Sequence, residues 1–129
     1  MDIEKLVDAA LKQKVGDLPE SIKTLLAGFD VSQTIEEVFC KLQQILCDAI
    51  EEHEFEKAAA ARDYNVQVED WCMRFFILDY LANARDVIES HTIVPALSLL
   101  IRRRISNIRS VVYDKHMENF RVKNSVPSH

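Results

Sequence analysis

Thr34-Ile35-Glu36-Glu37-Val38-Phe39-Cys40-Lys41-Leu42-Gln43-Gln44-Ile45-Leu46-Cys47-Asp48-Ala49-Ile50 is the stretch that decides the fold. Ile35, Val38, Phe39, Leu42, Ile45, Leu46, Ala49 and Ile50 recur at steps of three and four, which is one stripe of an α-helix and not the alternation of a strand. Either Asp30 or Thr34 can open this helix, and Thr34 has Glu37 three residues on, the pattern of a capping box. The stripe ends at the polar run Glu51-Glu52-His53-Glu54. That run holds neither Gly nor Pro, yet it sits where a tight helix–helix turn is expected.

Upstream, Ile3, Leu6, Val7, Ala10 and Leu11 predict a helix over 2–15, with Asp2 as its cap and Gly16 as its stop. Pro19 starts a short helix that turns Ile22, Leu25 and Leu26 inward, and Gly28 ends it. Downstream, residues 54–89 read as one long helical stretch, alanine-rich first (Ala58 to Ala61) and aromatic-rich later (Trp71, Phe75, Phe76, Tyr80). Weak helix formers at Tyr64-Asn65-Val66 suggest a bend there. Ser90-His91-Thr92 is the expected break. Pro95 then fits the first turn of a last helix over 93–123 that buries Val94, Leu97, Ile101, Ile105, Ile108 and Val112. The fold class expected is all-α, a single-domain bundle of four to five mostly antiparallel helices over 1–123, with a flexible tail at 124–129.

Composition agrees. Among 129 residues only 2 are Gly and 3 are Pro, too few breakers for a sandwich of short strands. The chain opens with charged residues and shows no leader. Its apolar runs fall short of the ~20 residues that span a membrane, so no membrane contact is expected and a cytoplasmic location is. Cys40, Cys47 and Cys72, an odd number, read as reduced thiols. The net charge of −5 conceals an asymmetry: residues 1–90 balance to −10 and residues 91–129 to +5. Such halves attract one another or present opposite faces to partners.

The run Leu42 to Ile50, then Glu51-Glu52-His53-Glu54, then Phe55-Glu56-Lys57-Ala58-Ala59-Ala60-Ala61-Arg62-Asp63, resembles the UVR motif. That motif is a helical hairpin of the excision-repair proteins UvrB and UvrC, some Clp chaperones and related regulators. The shared pattern is an amphipathic helix, an acidic turn, Phe-Glu-Lys-Ala-Ala, two variable positions and Arg-Asp. Ala61 departs from it, since the family carries Leu before Arg-Asp. The resemblance covers residues 42–63 and implies a protein-docking hairpin. In that picture Phe55 plugs the hairpin mouth, Ala58 and Ala59 let the two helices approach, and Arg62 pairs with acidic groups of the facing helix.

Chemistry finds no comparable pattern. There is no Glu-x-x-His pair, Gly-rich phosphate loop, nucleophile elbow or His-Glu-x-x-His string, so neither catalysis nor a cofactor is expected. Cys40 and Cys47 are seven apart with no His or Cys one turn away, and His53, His91, His116 and His129 are scattered, so no metal site is expected. Arg102-Arg103-Arg104, with Arg109, Lys115, His116, Arg121 and Lys123, is a basic segment. Its arginines point in three directions around one helix, and pairing with the acidic half, or plain solvation, accounts for them better than nucleic acid does.

The function expected is therefore a non-enzymatic, protein-binding helical protein, an inhibitor or adaptor of a partner protein. It would act as an immunity protein or antitoxin that covers a basic toxin, or as a docking hairpin like the UVR motif. The alternative is a nucleic-acid-associated regulator using the basic C-terminal helix. The residues singled out for partner binding are Glu51, Glu52, Glu54, Phe55, Glu56, Arg62, Asp63, Glu69, Asp70 and Trp71. The aromatic cluster 71–80 reads mainly as core. Any exposed part of it would suit a partner helix or a homodimer.

Overall fold

The computed structural model describes residues 2–124. The chain forms five α-helices: α1 (Ile3–Leu11), α2 (Glu20–Leu25), α3 (Ile35–Glu51), α4 (Phe55–Asn83) and α5 (Val87–Asn124), with a 3-10 turn at Val15–Asp17. Among the described residues the only strand-like pairing is the single bridge Lys14–Thr34. The all-α bundle expected from the sequence is what forms, and none of its helices is long and apolar enough to cross a membrane.

Capping explains most boundaries. Asp2 accepts from the Glu4 and Lys5 amides and starts α1, and Thr34 with Glu37 makes the full capping box that starts α3. Asp30 does not open α3. It instead closes a turn by accepting from the Ser32 amide at 2.8 Å and the Ser32 hydroxyl at 2.6 Å, bonds that hold its carboxyl below the usual range. α1 stops at Leu11, earlier than expected, and Gly16 is not its stop. The Gly16 amide donates to the Val31 carbonyl at 2.9 Å, and a Cβ there would sit 3.2 Å from Val31 Cβ and O. Glycine eases that close approach of two chain segments and does not mark a helix end. α2 likewise ends at Leu25, before Gly28 is reached.

The second half departs further from expectation. α4 runs through Tyr64-Asn65-Val66 as one helix and ends at Asn83, and the break lies at residues 84–86. Asp86 accepts from the Ile88 and Glu89 amides at 2.9 and 3.2 Å and so starts α5 six residues ahead of the expected position. Ser90, expected in a break, is a buried residue of α5 whose hydroxyl donates to the Asp86 carbonyl. Pro95 therefore lies inside the helix, on an exposed face, and not in its first turn. Asn124 belongs to α5, and the rest of the expected tail, 125–129, lies outside the described residues.

α3 and α4 form an antiparallel hairpin, and α5 returns antiparallel to α4 and hence parallel to α3. Val7, Leu11, Ile22, Leu26, Ile35, Val38, Phe39, Val68, Cys72, Ile101 and Ile105 fill the centre. Across it runs one polar clasp. Arg109 of α5 donates to Glu69 Oε1 at 3.2 Å and Asn65 Oδ1 at 2.8 Å, both on α4, and its guanidinium lies 5.7 Å from the Phe39 ring centroid of α3. Arg102 adds a second bond to Glu69 at 3.3 Å, and Arg104 binds Asp8 of α1. The attraction between acidic and basic halves is thus spent largely inside the molecule.

Of the α3 stripe, Ile35, Val38, Phe39, Leu42 and Ala49 are buried, while Ile45 and Ile50 are exposed. α5 buries Leu97, Ile101 and Ile105 as expected, with Val94, Ile108 and Val112 only half-buried.

Truncating Arg109 would leave Asn65 buried without its partner and Glu69 held by Arg102 alone. Arg109→Ala is expected to destabilise the fold by about 2–3 kcal/mol. Arg103→Ala, at an exposed position of the same helix, should fall within about 0.5 kcal/mol of the parent. Urea unfolding followed by circular dichroism measures both.

Candidate functional site

The residues that resemble a docking hairpin converge at one end of the bundle. α3 closes with the Glu54 amide donating to the Ala49 carbonyl at 2.9 Å and the His53 amide to the Ile50 carbonyl at 3.1 Å. This paired closure is the Schellman arrangement, in which the residue after the cap adopts a left-handed backbone. His53 takes that place with φ 57°, where glycine is usual. Its ring packs edge-on to Phe55 at 5.7 Å between centroids, so the strained residue also braces the first side chain of α4.

Burial divides the hairpin into an inner and an outer set. Ala58, Asn65 and Val68 of α4 are buried and Ala61 is half-buried, whereas Ala59 is exposed, so Ala58 alone of the Ala58-Ala59 pair lies in the interface. Phe55 does not plug the hairpin mouth: it is 66% exposed. Nor does Arg62 reach the facing helix. Its side chain is 70% exposed and lies 4.0 Å from the carboxylate of its neighbour Asp63. The helical phase set by Ala58, Asn65 and Val68 turns positions 55 and 62 outward.

Around Phe55 the tip carries carboxylates. Glu52, Glu54 and Glu56 are exposed and Glu51 is partly so. Hydrogen bonding to Glu54, together with that residue's like charge, pushes the Glu52 carboxyl up from its ordinary range, while Lys57 pairs with Glu54 at 3.5 Å. The tip is thus an acidic rim around one large exposed ring.

Glu69, Asp70 and Trp71 do not belong to this tip. Trp71 lies sixteen positions beyond Phe55, about 24 Å along α4 at 1.5 Å per residue. The Glu69 side chain is 12% exposed and bound by Arg102 and Arg109, and Asp70 stands 4.0 Å from Arg102. Those two carboxylates serve as counter-charges to the arginines of α5, Glu69 nearly buried and Asp70 half exposed. Trp71 is partly exposed with the Arg74 guanidinium 5.9 Å from its ring, while Phe76 is buried and Phe75 and Tyr80 pack against the core.

Two features were not visible in the sequence. His116 of α5 lies against the tip's inner side. Its Nε2 is 3.2 Å from Glu51 Oε2, and its Nδ1 is 3.8 Å from Asp48 Oδ1 and 3.2 Å from Gln44 Nε2. One ligand atom from each of Asp48, Glu51 and His116 falls within 4.8 Å of the others, the one such group among the described residues. The carboxylates, however, lie against different ring nitrogens, and the Gln44 amide nitrogen stands between Nδ1 and Asp48, so the lone pairs do not converge on one cation. The histidine stands 72 positions from Gln44, and no local pattern links them.

The second feature is a partly open, largely apolar cavity of about 510 Å³ at the opposite end. Leu6, Ala10, Phe76, Leu97 and Ile101 of three helices line it, with Arg85 and Asp86 from the α4–α5 turn. Its size is that of a small-molecule site.

The thiols are not activated. Burial pushes up Cys40 and Cys47, and burial together with the Glu69 charge pushes Cys72 up to about 12. All three are free. In the native protein at pH 8, iodoacetamide should modify half-buried Cys40 first and leave Cys72 untouched until the fold is opened with urea, as peptide mapping would read. At the turn, His53→Gly should stabilise the fold by about 0.5–1 kcal/mol by removing the left-handed strain, measured by thermal unfolding.

Set beside known proteins, the chain matches no family model, no curated protein and no solved structure.

Proposed function

We propose that this chain is a non-enzymatic protein-binding module that docks on a partner protein through the tip of the α3–α4 hairpin. The observation that carries the reading is the outward position of Phe55: a large aromatic side chain, 66% exposed, held by a rigid turn amid Glu51, Glu52, Glu54 and Glu56. An exposed aromatic bordered mainly by carboxylates suits an interface anchor, in which the ring fills a recess and the carboxylates meet a basic rim. The resemblance of residues 42–63 to the UVR motif supports the same use, since that hairpin is a docking element. Arg62 and Asp63 are likewise exposed on α4.

The partner that fits is a protein with an apolar recess bordered by Lys or Arg. An inhibitor that covers a basic active site and an adaptor that bridges two proteins both use such a tip. Nucleic acid has less to hold. Arg102, Arg104 and Arg109 are committed to Glu69, Asp70 and Asp8, which leaves Arg103, Lys115 and Arg121 dispersed along α5.

The tagged chain, expressed in its own cells, should co-purify with a stoichiometric protein partner. Phe55→Ala should weaken that association roughly 30-fold or more, as an aromatic anchor does, and Arg62→Glu should weaken it less. Both variants should unfold within about 2 °C of the parent, because neither side chain is in the core. Undiminished capture by Phe55→Ala, measured by titration with the purified partner, would remove the hairpin tip from the interface.

A further inference from the structure

The last three turns of α5 carry an apolar stripe that the other described residues leave partly exposed. Tyr113, Met117 and Phe120 are 50%, 37% and 39% exposed, and none belongs to the buried core. With Ser106, Ser110 and Asn124 they recur at alternating steps of four and three, the seven-residue pattern by which one helix seats against another. The opposite margin of this helix is already occupied: His116 and Lys123 both reach Glu51 of α3. Beside the stripe, Tyr113, Ser110 and Ser106 border a shallow groove against Gln43 of α3.

The charges flanking the stripe say what lies on it. Asp114 and Arg121 stand seven residues apart on one margin, two helical turns, too far along the same helix to meet. Neither takes part in an ion pair within the described chain. If a second α5 is laid on the first in the same direction, the Asp114–Arg121 margin of one helix faces the His116–Lys123 margin of the other, which Glu51 already holds. Laid antiparallel about a twofold axis at Met117, the Asp114–Arg121 margin faces itself in reverse, so that unlike charges meet. Asp114, three residues before the axis, meets Arg121, four after it. Tyr113, four before, meets Phe120, three after, and Ser110 meets Asn124. The mismatch of one residue is about 1.5 Å along the helix, within reach of an arginine side chain.

We infer that this stripe is a self-association surface, occupied by a second copy of this chain whose α5 packs antiparallel about Met117. A twofold contact of this kind is closed, and it repeats each pair: two Asp114–Arg121 ion pairs, two Tyr113–Phe120 contacts and one Met117–Met117 contact. The contact is about three turns long, so the dimer is weak, forming on the order of tens to hundreds of micromolar. The inference stands apart from docking at the hairpin tip, since neither Phe55 nor the tip carboxylates take part.

Sedimentation equilibrium of the full chain, over roughly 10 to 500 µM, should show the average mass rising from one chain towards two. Asp114→Arg should hold it at one chain, and adding Arg121→Asp should restore the rise, with helicity by circular dichroism unchanged throughout. Cysteine pairs test the register. Oxidised Met117→Cys should give a disulfide-linked dimer, while Val111→Cys, exposed on the far side of α5, should give no more than the parent chain. Tyr113→Cys and Phe120→Cys should each stay single alone and cross-link when mixed. A mass of one chain at every concentration would overturn the inference. So would self-linking of Tyr113→Cys at the rate of Met117→Cys, which is the mark of a parallel pair, or unaltered association of Asp114→Arg.

Discussion

Arg109 holds three helices at one point. Its guanidinium spans from the Phe39 face on α3 to Glu69 and Asn65 on α4, while its own backbone belongs to α5. A charge placed among apolar side chains is tolerable only when its hydrogen bonds are nearly all made. Here two of its nitrogens are satisfied, and the buried Nε has no acceptor. The geometry therefore leaves little freedom: sliding α5 by one turn would carry Arg109 away from both acceptors at once. Apolar packing of Ile101 and Ile105 could tolerate several registers. The clasp selects one, and with it the parallel alignment of α3 with the C-terminal half of α5.

That alignment has a consequence for the hairpin tip. Because α5 passes along the α3 side, His116 and Lys123 arrive at Glu51, and Gln44 and Asp48 arrive at His116. The inner carboxylates at this end are held, and the outer ones, Glu52, Glu54 and Glu56, remain on the surface around Phe55. The turn beneath them is stiff for a reason local to the backbone. Two crossing hydrogen bonds close α3, and His53 accepts a left-handed conformation to make them. A rigid turn presents Phe55 with little ordering still to be lost on contact with a partner.

The charge asymmetry of the chain resolves along the same lines. Arg102, Arg104 and Arg109 neutralise Glu69, Asp70 and Asp8 within the bundle. Two local features remain on the surface beside the dispersed charges: an acidic tip on the hairpin, and a margin of α5 where Asp114 and Arg121 stand outside the described ion pairs. The Cys72 thiol, next to Glu69 and deeply buried, belongs to the same interior and is correspondingly inert.

How much of this was legible from residues alone follows from the range of the interactions. Periodicity named the helices, and the Thr34–Glu37 box and the Asp2 cap marked their starts, because helix and cap are set by residues within one turn of each other. The α4–α5 break escaped for a local reason of another kind: Asp86 does the capping, and Pro95, which looks like a helix start, lies on an exposed face that tolerates it. The polar hairpin tip, with its Phe-Glu-Lys-Ala-Ala string, was likewise present in the sequence. Which way Phe55 and Arg62 point was not, since that depends on the phase that Ala58, Asn65 and Val68 adopt once they are buried. The pairing of Glu69 with Arg102 and Arg109, the approach of His116 to Glu51, and the exposure of Tyr113, Met117 and Phe120 were decided only by the tertiary structure. Each joins or separates residues from helices distant along the chain, and no spacing within a single helix encodes such a meeting.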